Sequence, residues 1–163
     1  MTKLPFDPID EAARQWALRW DGVEQMHAVT SLMRVQQLVL ARLDELLRPH
    51  GLTFARYEAL VLLTFSRAGS LPLGKMGRRL QVHPTSVTSI IDRLESSGLV
   101  VRRRHPDDKR AVLAEITDAG RTAVEDATAD LVGAEFGLSR LSAEELQHLS
   151  GLLKPVRKAA GDF

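Results

Sequence analysis

The chain has no cysteine among its 163 residues. This excludes a disulfide framework, a thiolate metal site and a thiol-based redox switch, and it favours a cytoplasmic protein. Aromatic residues make up only 5% of the chain. No stretch reaches the roughly 18 consecutive apolar residues of a membrane span. The first residues include no apolar segment of the kind found in signal peptides, so we expect neither membrane insertion nor export.

The motifs of common enzyme sites are also missing. There is no glycine-rich phosphate loop, no Gly-x-Ser-x-Gly and no His-Glu-x-x-His. The five histidines, at positions 27, 50, 83, 105 and 148, do not have the spacing of metal ligands. The sequence therefore predicts a protein that is not an enzyme and that uses no cofactor and no metal.

The composition is that of an ordinary globular protein, with 44% apolar and 26% charged residues. The net charge is only +1, but it is unevenly distributed. Residues 75–110 hold nine lysines and arginines against four acids, whereas the rest of the chain holds 13 basic and 17 acidic residues. A basic segment within a mildly acidic chain is typical of a nucleic-acid-binding module.

A helix beginning at Pro84 lies at the centre of this basic segment. Proline suits a first helical position because the N–H group it lacks has no partner there, and His83 precedes it as the cap. One face of the helix is apolar and consists of Val87, Ile90, Ile91 and Leu94. The other face carries Thr85, Ser86, Thr88, Ser89, Asp92 and Arg93. Short hydroxyl side chains and a cation suit contact with base edges and phosphates, and Gly98 ends the helix.

Two β-compatible runs follow, at residues 99–104 and 111–116, joined by a polar turn that contains a proline. A shorter helix precedes Pro84, and its inner face consists of Leu73, Met76 and Leu80. Helix, turn, helix and basic hairpin form the layout of a winged helix-turn-helix.

These residues resemble a known family. The segment from Val82 to Arg102 is similar to the recognition helix and first wing strand of the MarR family of bacterial transcription regulators. Asp108-Lys109-Arg110 resembles that family's Asp-x-Arg wing motif. Residues 116–120 resemble the Leu-Thr-x-x-Gly that follows the wing, with Ile116 in place of Leu. The resemblance implies a homodimer that binds double-stranded DNA, acts as a repressor and responds to a small anionic or aromatic effector.

We expect a mostly α (α+β) fold in three regions. Residues 1–50 form N-terminal dimerisation helices, 51–117 the winged helix-turn-helix, and 118–163 C-terminal dimerisation helices. Amphipathic stripes at both ends expose more apolar surface than one small core covers, which favours burial against a second copy over a pair of helices within one chain.

Several details of the flanking helices are also predicted. Asp7 caps a first helix with an apolar stripe of Ile9, Ala13, Trp16 and Trp20, and a long helix covers residues 23–48. Thr53 caps a helix that extends to about Arg67. The buried residues of that helix include Tyr57, Leu60, Val61 and Phe65. Thr117 or Asp118 caps a helix whose stripe continues to Leu138, and Ser142 with Glu145 forms a capping box that opens the last helix.

The predicted DNA-binding residues are Thr85, Ser86, Thr88, Ser89, Arg93, Asp108, Lys109 and Arg110. The hydroxyls and Arg93 are expected at base edges and phosphates. The resemblance places Arg110 in the minor groove, where negative potential is concentrated, and has Asp108 orient it or a neighbouring arginine. Arg102, Arg103 and Arg104 cannot all face DNA, because side chains alternate along a strand. A two-fold dimer predicts a pseudo-palindromic operator with half-sites about 10 bp apart.

An effector pocket is predicted to include Trp16, Trp20, His27 and Tyr57, although both tryptophans also fit a helix core. One branch of the family senses urate. Trp16, Glu58 and Arg102 match three positions of that branch, while Ile90 stands where it has an arginine, so the resemblance implies a related anion more than urate. Two alternatives are a winged helix that binds protein and a winged regulator of another family.

Overall fold

The computed structural model describes residues 4–106, 108 and 111–163. The chain divides into two compact units, Met1–Arg42 and Leu43–Phe163. The described residues are mostly helical with one three-stranded sheet, which confirms the predicted fold class. Within them, no helix is both long enough and apolar enough to cross a membrane. The division of the chain into three functional regions stays a prediction.

The first helix, α1 (Pro8–Ala17), begins as the sequence predicts. The Asp7 side chain accepts a hydrogen bond from the backbone N–H of Ile9 over 2.8 Å, which satisfies one of the unpaired donors at the helix start. The expectation that Trp20 extends the apolar stripe of this helix is wrong. The helix ends at Ala17, and Trp20 lies beyond it with 59% of its surface exposed.

The second helix, α2 (Val23–Leu47), matches the long helix expected over residues 23–48. Its buried residues are Leu43 and Leu47. Apolar side chains along the rest of the helix are 37–58% exposed, namely Val29, Leu32, Met33, Val35, Leu38 and Leu40. A single 3-10 turn, Arg48–His50, follows the helix. The chain then reverses at Gly51, whose φ of 68° suits glycine.

The second unit contains the helix-turn-helix and the wing. Its next elements in chain order are α3 (Phe54–Thr64), β1 (Ser70–Pro72), α4 (Leu73–Leu80), α5 (Pro84–Ser96), β2 (Val100–Arg104) and β3 (Val112–Ile116). The strands pair antiparallel in the order β1-β3-β2. Strand β1 is therefore an edge strand, as expected for a strand that contains Pro72, which has no N–H to donate.

The core of this unit is apolar and lies under α5. The largest fully buried side chains are Leu47, Leu60, Leu63, Met76, Val87, Ile91, Leu94, Val100 and Leu131. The predicted inner face of α5 is thus confirmed, with Ile90 half-buried at its margin. Burial of this face holds the opposite face of α5 outward.

Helix α3 begins at Phe54, as predicted, but its capping side chain and its last residue differ from the expectation. Thr53 precedes it, but the cap is the Asp44 carboxylate, which accepts a hydrogen bond from the Phe54 N–H over 2.7 Å. The helix ends at Thr64, three residues before Arg67. Phe65 follows the last helical residue and is 80% exposed, so its predicted place in the core is wrong.

The last two helices are α6 (Asp118–Gly133) and α7 (Ala143–Ala159). Thr117 caps α6. The predicted stripe to Leu138 is wrong, because the chain leaves the helix where Glu135 and Phe136 take left-handed conformations with φ of 50° and 52°.

Ser142 and Glu145 form the predicted capping box at the start of α7. No residue of α7 is buried, and exposed apolar side chains lie along it at Leu149, Leu152 and Val156.

Candidate nucleic-acid interface

Helix α5 begins and ends where the sequence predicts. His83 is the N-cap, and its Nδ1 accepts a hydrogen bond from the Thr85 N–H over 3.3 Å. Pro84 occupies the first helical position. After Ser96 the chain turns at Gly98, whose φ of 72° is left-handed. Both ends of the helix are therefore fixed by local chemistry, which sets the length of its outward face.

Helices α4 and α5 approach each other closely at the turn between them. A Cβ atom on Gly77 would lie 3.2 Å from Cγ2 of Val87 and 3.3 Å from the carbonyl oxygen of Val82. Gln81 ends α4 in a left-handed conformation with φ of 54°. Glycine at position 77 permits the close approach that holds α5 against its partner helix.

The outward face of α5 is hydroxyl-rich and exposed. It consists of Thr85, Ser86, Thr88, Ser89, Asp92 and Arg93. Two of the four hydroxyls are already engaged: that of Thr85 lies 3.1 Å from His83 Nδ1, and that of Thr88 donates to the carbonyl oxygen of Pro84 over 3.2 Å. Ser86 and Ser89 make no side-chain hydrogen bond to any described residue, so their hydroxyls can bond a base edge or phosphate without first breaking a contact.

The wing is a two-stranded hairpin of β2 and β3. Its register pairs Val100 with Ile116 and Arg104 with Val112. At the turn, the Asp108 N–H donates to Nδ1 of His105 over 3.2 Å, and the His105 N–H donates to the carbonyl oxygen of Ala111 over 3.1 Å.

Of the predicted wing contacts, Asp108 is described and its side chain is exposed. The predictions for Lys109 and Arg110 lie outside the described residues.

The three arginines of β2 have different surroundings. Arg102 forms ion pairs with Asp92, over 2.6 Å, and with Glu95, both on α5. Nε of Arg103 lies 3.4 Å from a carboxylate oxygen of Glu115 on β3. Arg104 is exposed and forms no ion pair with a described residue.

The pKa of Arg102 reflects two opposing effects. Partial burial lowers it, but the hydrogen bonds to Asp92 and Glu95 outweigh burial and hold the pKa above its ordinary value. The guanidinium charge is thus committed to two carboxylates of the recognition helix.

The segment after β3 joins the wing to the end of α5. The Thr117 hydroxyl donates to the carbonyl oxygen of Gly98 over 2.8 Å and accepts from the Gly120 N–H over 3.0 Å. A Cβ atom on Gly120 would lie only 2.2 Å from the carbonyl oxygen of Leu99. The Thr-x-x-Gly of the sequence therefore corresponds to a close contact between the start of α6 and the turn that leads from α5 into β2.

Sequence reasoning missed a group of cations on α4. Lys75, Arg78 and Arg79 are exposed, and none forms an ion pair with a described residue. The signal was present, because the inner face of α4 is formed by Leu73, Met76 and Leu80, and helical spacing then places these three cations outward. In helix-turn-helix proteins the first helix crosses the DNA backbone, where such charges contact phosphates.

The predicted effector residues are divided between the two units. In the first unit, the Trp16 indole N–H donates to the carbonyl oxygen of Asp21 over 2.9 Å. The ring of Trp20 lies 4.8 Å from the Trp16 ring between centroids. His27 Nε2 lies 2.9 Å from a carboxylate oxygen of Asp10.

In the second unit, Tyr57 is buried and its hydroxyl lies 2.8 Å from that of Thr128. On the same helix, desolvation raises the pKa of Glu58 above its ordinary value. No group of three or more histidine, aspartate or glutamate side chains in the described part of the chain could hold a metal ion.

Comparison with known proteins matches this architecture to transcription regulators. A model of the MarR family matches residues 55–112. The organic hydroperoxide resistance transcriptional regulator of Bacillus subtilis is 35% identical over 103 residues, which cover 63% of this chain and 68% of that protein.

Two solved structures extend the match over most of the chain. A MarR family transcriptional regulator from Streptomyces coelicolor is 56% identical, with a TM-score of 0.82 over 87% of this chain and 99% of that one. A mutant MarR from E. coli, crystallised in complex with operator DNA, is 28% identical, with a TM-score of 0.72 over 84% of this chain and 99% of that one.

Proposed function

The chain belongs to the MarR family of transcription regulators, and on this premise we propose that it binds a pseudo-palindromic operator as a homodimer and represses transcription until an effector releases it. As a member of this family it is a DNA-binding regulator and not an enzyme. The operator, the dimer, the direction of regulation and the effector are the proposed parts.

One observation carries the DNA-binding role most strongly. Helix α5 buries Val87, Ile91 and Leu94 of its apolar face in its own unit, yet its other face presents Ser86 and Ser89 with no side-chain hydrogen bond to a described residue. Hydroxyls without such a hydrogen bond can donate to or accept from base edges and phosphates in a major groove, which is wide enough for an α-helix. Arg78 of α4 and Thr88 of α5 line the same groove between the two helices.

Individual contacts follow from these positions. We assign Ser86 and Ser89 to base edges. Thr85 and Thr88 are assigned to phosphates or flanking bases, because their hydroxyls already share a hydrogen bond within the protein. Arg93 is assigned to the same contacts, because its charge acts over a longer distance. Lys75, Arg78 and Arg79 are assigned to the phosphate backbone.

The wing roles come from the family resemblance. Arg110 reads the minor groove, and Asp108 orients it or a neighbouring arginine. Lys109, which lies between them in the sequence, is assigned to the same contact with DNA.

Dimerisation accounts for the exposed apolar side chains. The apolar side chains along residues 29–40 of α2 and those on α7 are left exposed. Exposed apolar surface of this extent marks a protein interface, and a two-fold pair of identical chains is the commonest solution. A symmetric dimer also supplies the second recognition helix that an inverted repeat requires.

The test compares two pairs of serines in one binding assay. The probe is labelled duplex from the intergenic region next to the gene, measured with excess random duplex as competitor. Replacing Ser86 and Ser89 by alanine is expected to weaken specific binding at least about fivefold, since each lost hydrogen bond costs roughly 0.5–1.5 kcal/mol. Binding to random duplex at low salt is expected to persist, because phosphates supply it.

Ser96→Ala with Ser97→Ala is the matched control. These serines lie at the end of the same helix, and both hydroxyls donate to the carbonyl oxygen of Arg93. The control is expected to bind as the wild type does. Equal loss in both double variants would show that α5 responds to destabilisation and does not read bases, and no binding by the wild type would reject the function.

We further propose a small aromatic or anionic effector. The chain cannot sense peroxide through a thiol, because it has no cysteine. One relative is nevertheless named for organic hydroperoxide resistance. The proposed ligand residues remain Trp16, Trp20, His27 and Tyr57. The chain has only two tryptophans, so quenching of their fluorescence together with release of DNA identifies an effector that binds the first unit.

A further inference from the structure

Arg102 connects the wing to the recognition helix through several contacts at once. Its Nη2 donates to a carboxylate oxygen of Asp92 over 2.6 Å, and its Nη1 pairs with Glu95. Its backbone N–H donates to the other carboxylate oxygen of Glu95 over 3.1 Å, and Nη2 lies 3.5 Å from the carbonyl oxygen of Thr88. Arg102 thereby contacts three successive turns of α5, at Thr88, Asp92 and Glu95.

The position of Asp92 gives this contact a consequence for DNA. Asp92 lies on the exposed face of α5, and 57% of its side chain is exposed. Arg102 holds that carboxylate in place. The Arg102 side chain is itself only 26% exposed and is paired with two acids, so its charge is not free for a phosphate.

We propose that Arg102 is a positioning residue for DNA binding: its pairing with Asp92 and Glu95 fixes the angle between the wing and α5, and it contacts no phosphate itself. This inference rests on the proposed function, because it assigns a role within the DNA-binding surface. It separates Arg102 from Arg104, which shares its strand and has no carboxylate partner among the described residues.

The role is geometric more than stabilising. Ion pairs this near the surface contribute little to folding, because water and salt screen them. A guanidinium that bridges two carboxylates nevertheless restricts orientation, since its planar fork accepts few geometries. Loss of Arg102 is therefore expected to leave the folded state populated while the wing loses its fixed relation to α5.

The salt dependence of binding separates positioning from phosphate contact. Affinity for operator duplex is measured at several KCl concentrations for Arg102→Gln and for the matched Arg104→Gln. Arg102→Gln is expected to lower affinity about tenfold at every concentration, the scale of one charge-assisted hydrogen bond, with the slope of log affinity against log salt unchanged. Arg104→Gln is expected to lower that slope by about 0.9, the effect of one phosphate contact.

The conservative variant Arg102→Lys adds a measurement that distinguishes positioning of the wing from a general effect on folding. Arg102→Lys keeps the charge but pairs with one carboxylate at a time, so its affinity is expected to lie between those of the wild type and Arg102→Gln. Circular dichroism at the assay temperature checks that all variants are folded. A reduced slope in Arg102→Gln, or unchanged affinity, would overturn the inference.

A second readout needs no DNA. Amide hydrogen exchange within β2 and β3 is expected to accelerate in Arg102→Gln and not in Arg104→Gln. If the wild type binds no duplex, the proposed function fails, and the exchange rates alone decide whether Arg102 holds the wing. Equal exchange in both variants would reject that role.

Discussion

At the scale of single residues, the glycine that follows the wing has a more demanding position than its neighbours. Gly120 lies where any side chain would meet a backbone carbonyl, which cannot move aside as a flexible side chain can. The contact brings the start of α6 against the residue that leads into β2. The packing of the hairpin near the last turn of α5 therefore requires a residue without a Cβ atom at position 120.

Gly120→Ala is expected to lower the free energy of unfolding by about 1–3 kcal/mol, the usual cost of overpacking a tight site. The physical reason is the 2.2 Å approach of the new Cβ to the Leu99 oxygen and its 2.8 Å approach to Cγ1 of Ile116. Thermal or urea unfolding followed by circular dichroism measures the change.

Gly133→Ala is the control, because it lies in the same helix with no atom within 4 Å of its added Cβ. Alanine favours helix over glycine, so this variant is expected to be as stable as the wild type or more so. If both variants changed stability alike, the contact at Gly120 would have no special importance.

At the scale of elements, the helix-turn-helix and the wing act as one surface only if their relative orientation is fixed. Three connections do this: the close approach at Gly77, the Arg102 ion pairs, and the Thr117 hydrogen bonds to Gly98 and Gly120. Each joins segments that are close in sequence. This permits tests of the wing without disturbing α5.

Arg110→Ala is expected to weaken operator binding about tenfold while leaving the dimer and its unfolding temperature unchanged. A guanidinium in a narrow minor groove gains from the concentrated negative potential there, and alanine loses that gain. Binding is measured by fluorescence anisotropy, and the oligomeric state by sedimentation.

Arg103→Ala serves as the comparison for the wing, since Arg103 pairs with Glu115 across the hairpin. Only a small change in affinity is expected from it. Unchanged affinity in Arg110→Ala would remove the wing from the DNA contact.

The sequence predicted most of the elements because their ends are set by local chemistry. His83, Pro84 and Gly98 fix α5, and the Ser142 capping box opens α7. One error arose where a distant residue decides. The cap of α3 comes from Asp44, ten residues earlier on another helix, and no pattern around Thr53 reveals it.

The exposed face of α5 was predicted for the same reason, because helical spacing identifies which side of a helix is exposed. The same spacing places the cations of α4 outward, but they were only counted within the basic segment. The partners of Arg102 could not be predicted, because they depend on how β2 folds back along α5 after Gly98. Strand alternation showed only that the three arginines of β2 differ.

At the scale of the whole molecule, the basic residues and the exposed apolar side chains lie on different segments of the chain. The net charge of +1 gives no general attraction to DNA, so binding depends on the basic segment of residues 75–110. The apolar side chains left open on α2 and α7 are the surfaces proposed for the second copy. A dimer with one DNA-binding module in each chain reads two half-sites related by two-fold symmetry.

Selection of duplexes from a randomised library by the purified chain, followed by sequencing, tests the DNA-reading dimer most directly. The expected product is an inverted repeat with half-sites about 10 bp apart, one turn of the double helix. Sedimentation of the selected duplex with protein is expected to show two chains on each DNA. Enrichment of a single unrepeated motif, enrichment of no motif, or one chain on each duplex would contradict the proposed function.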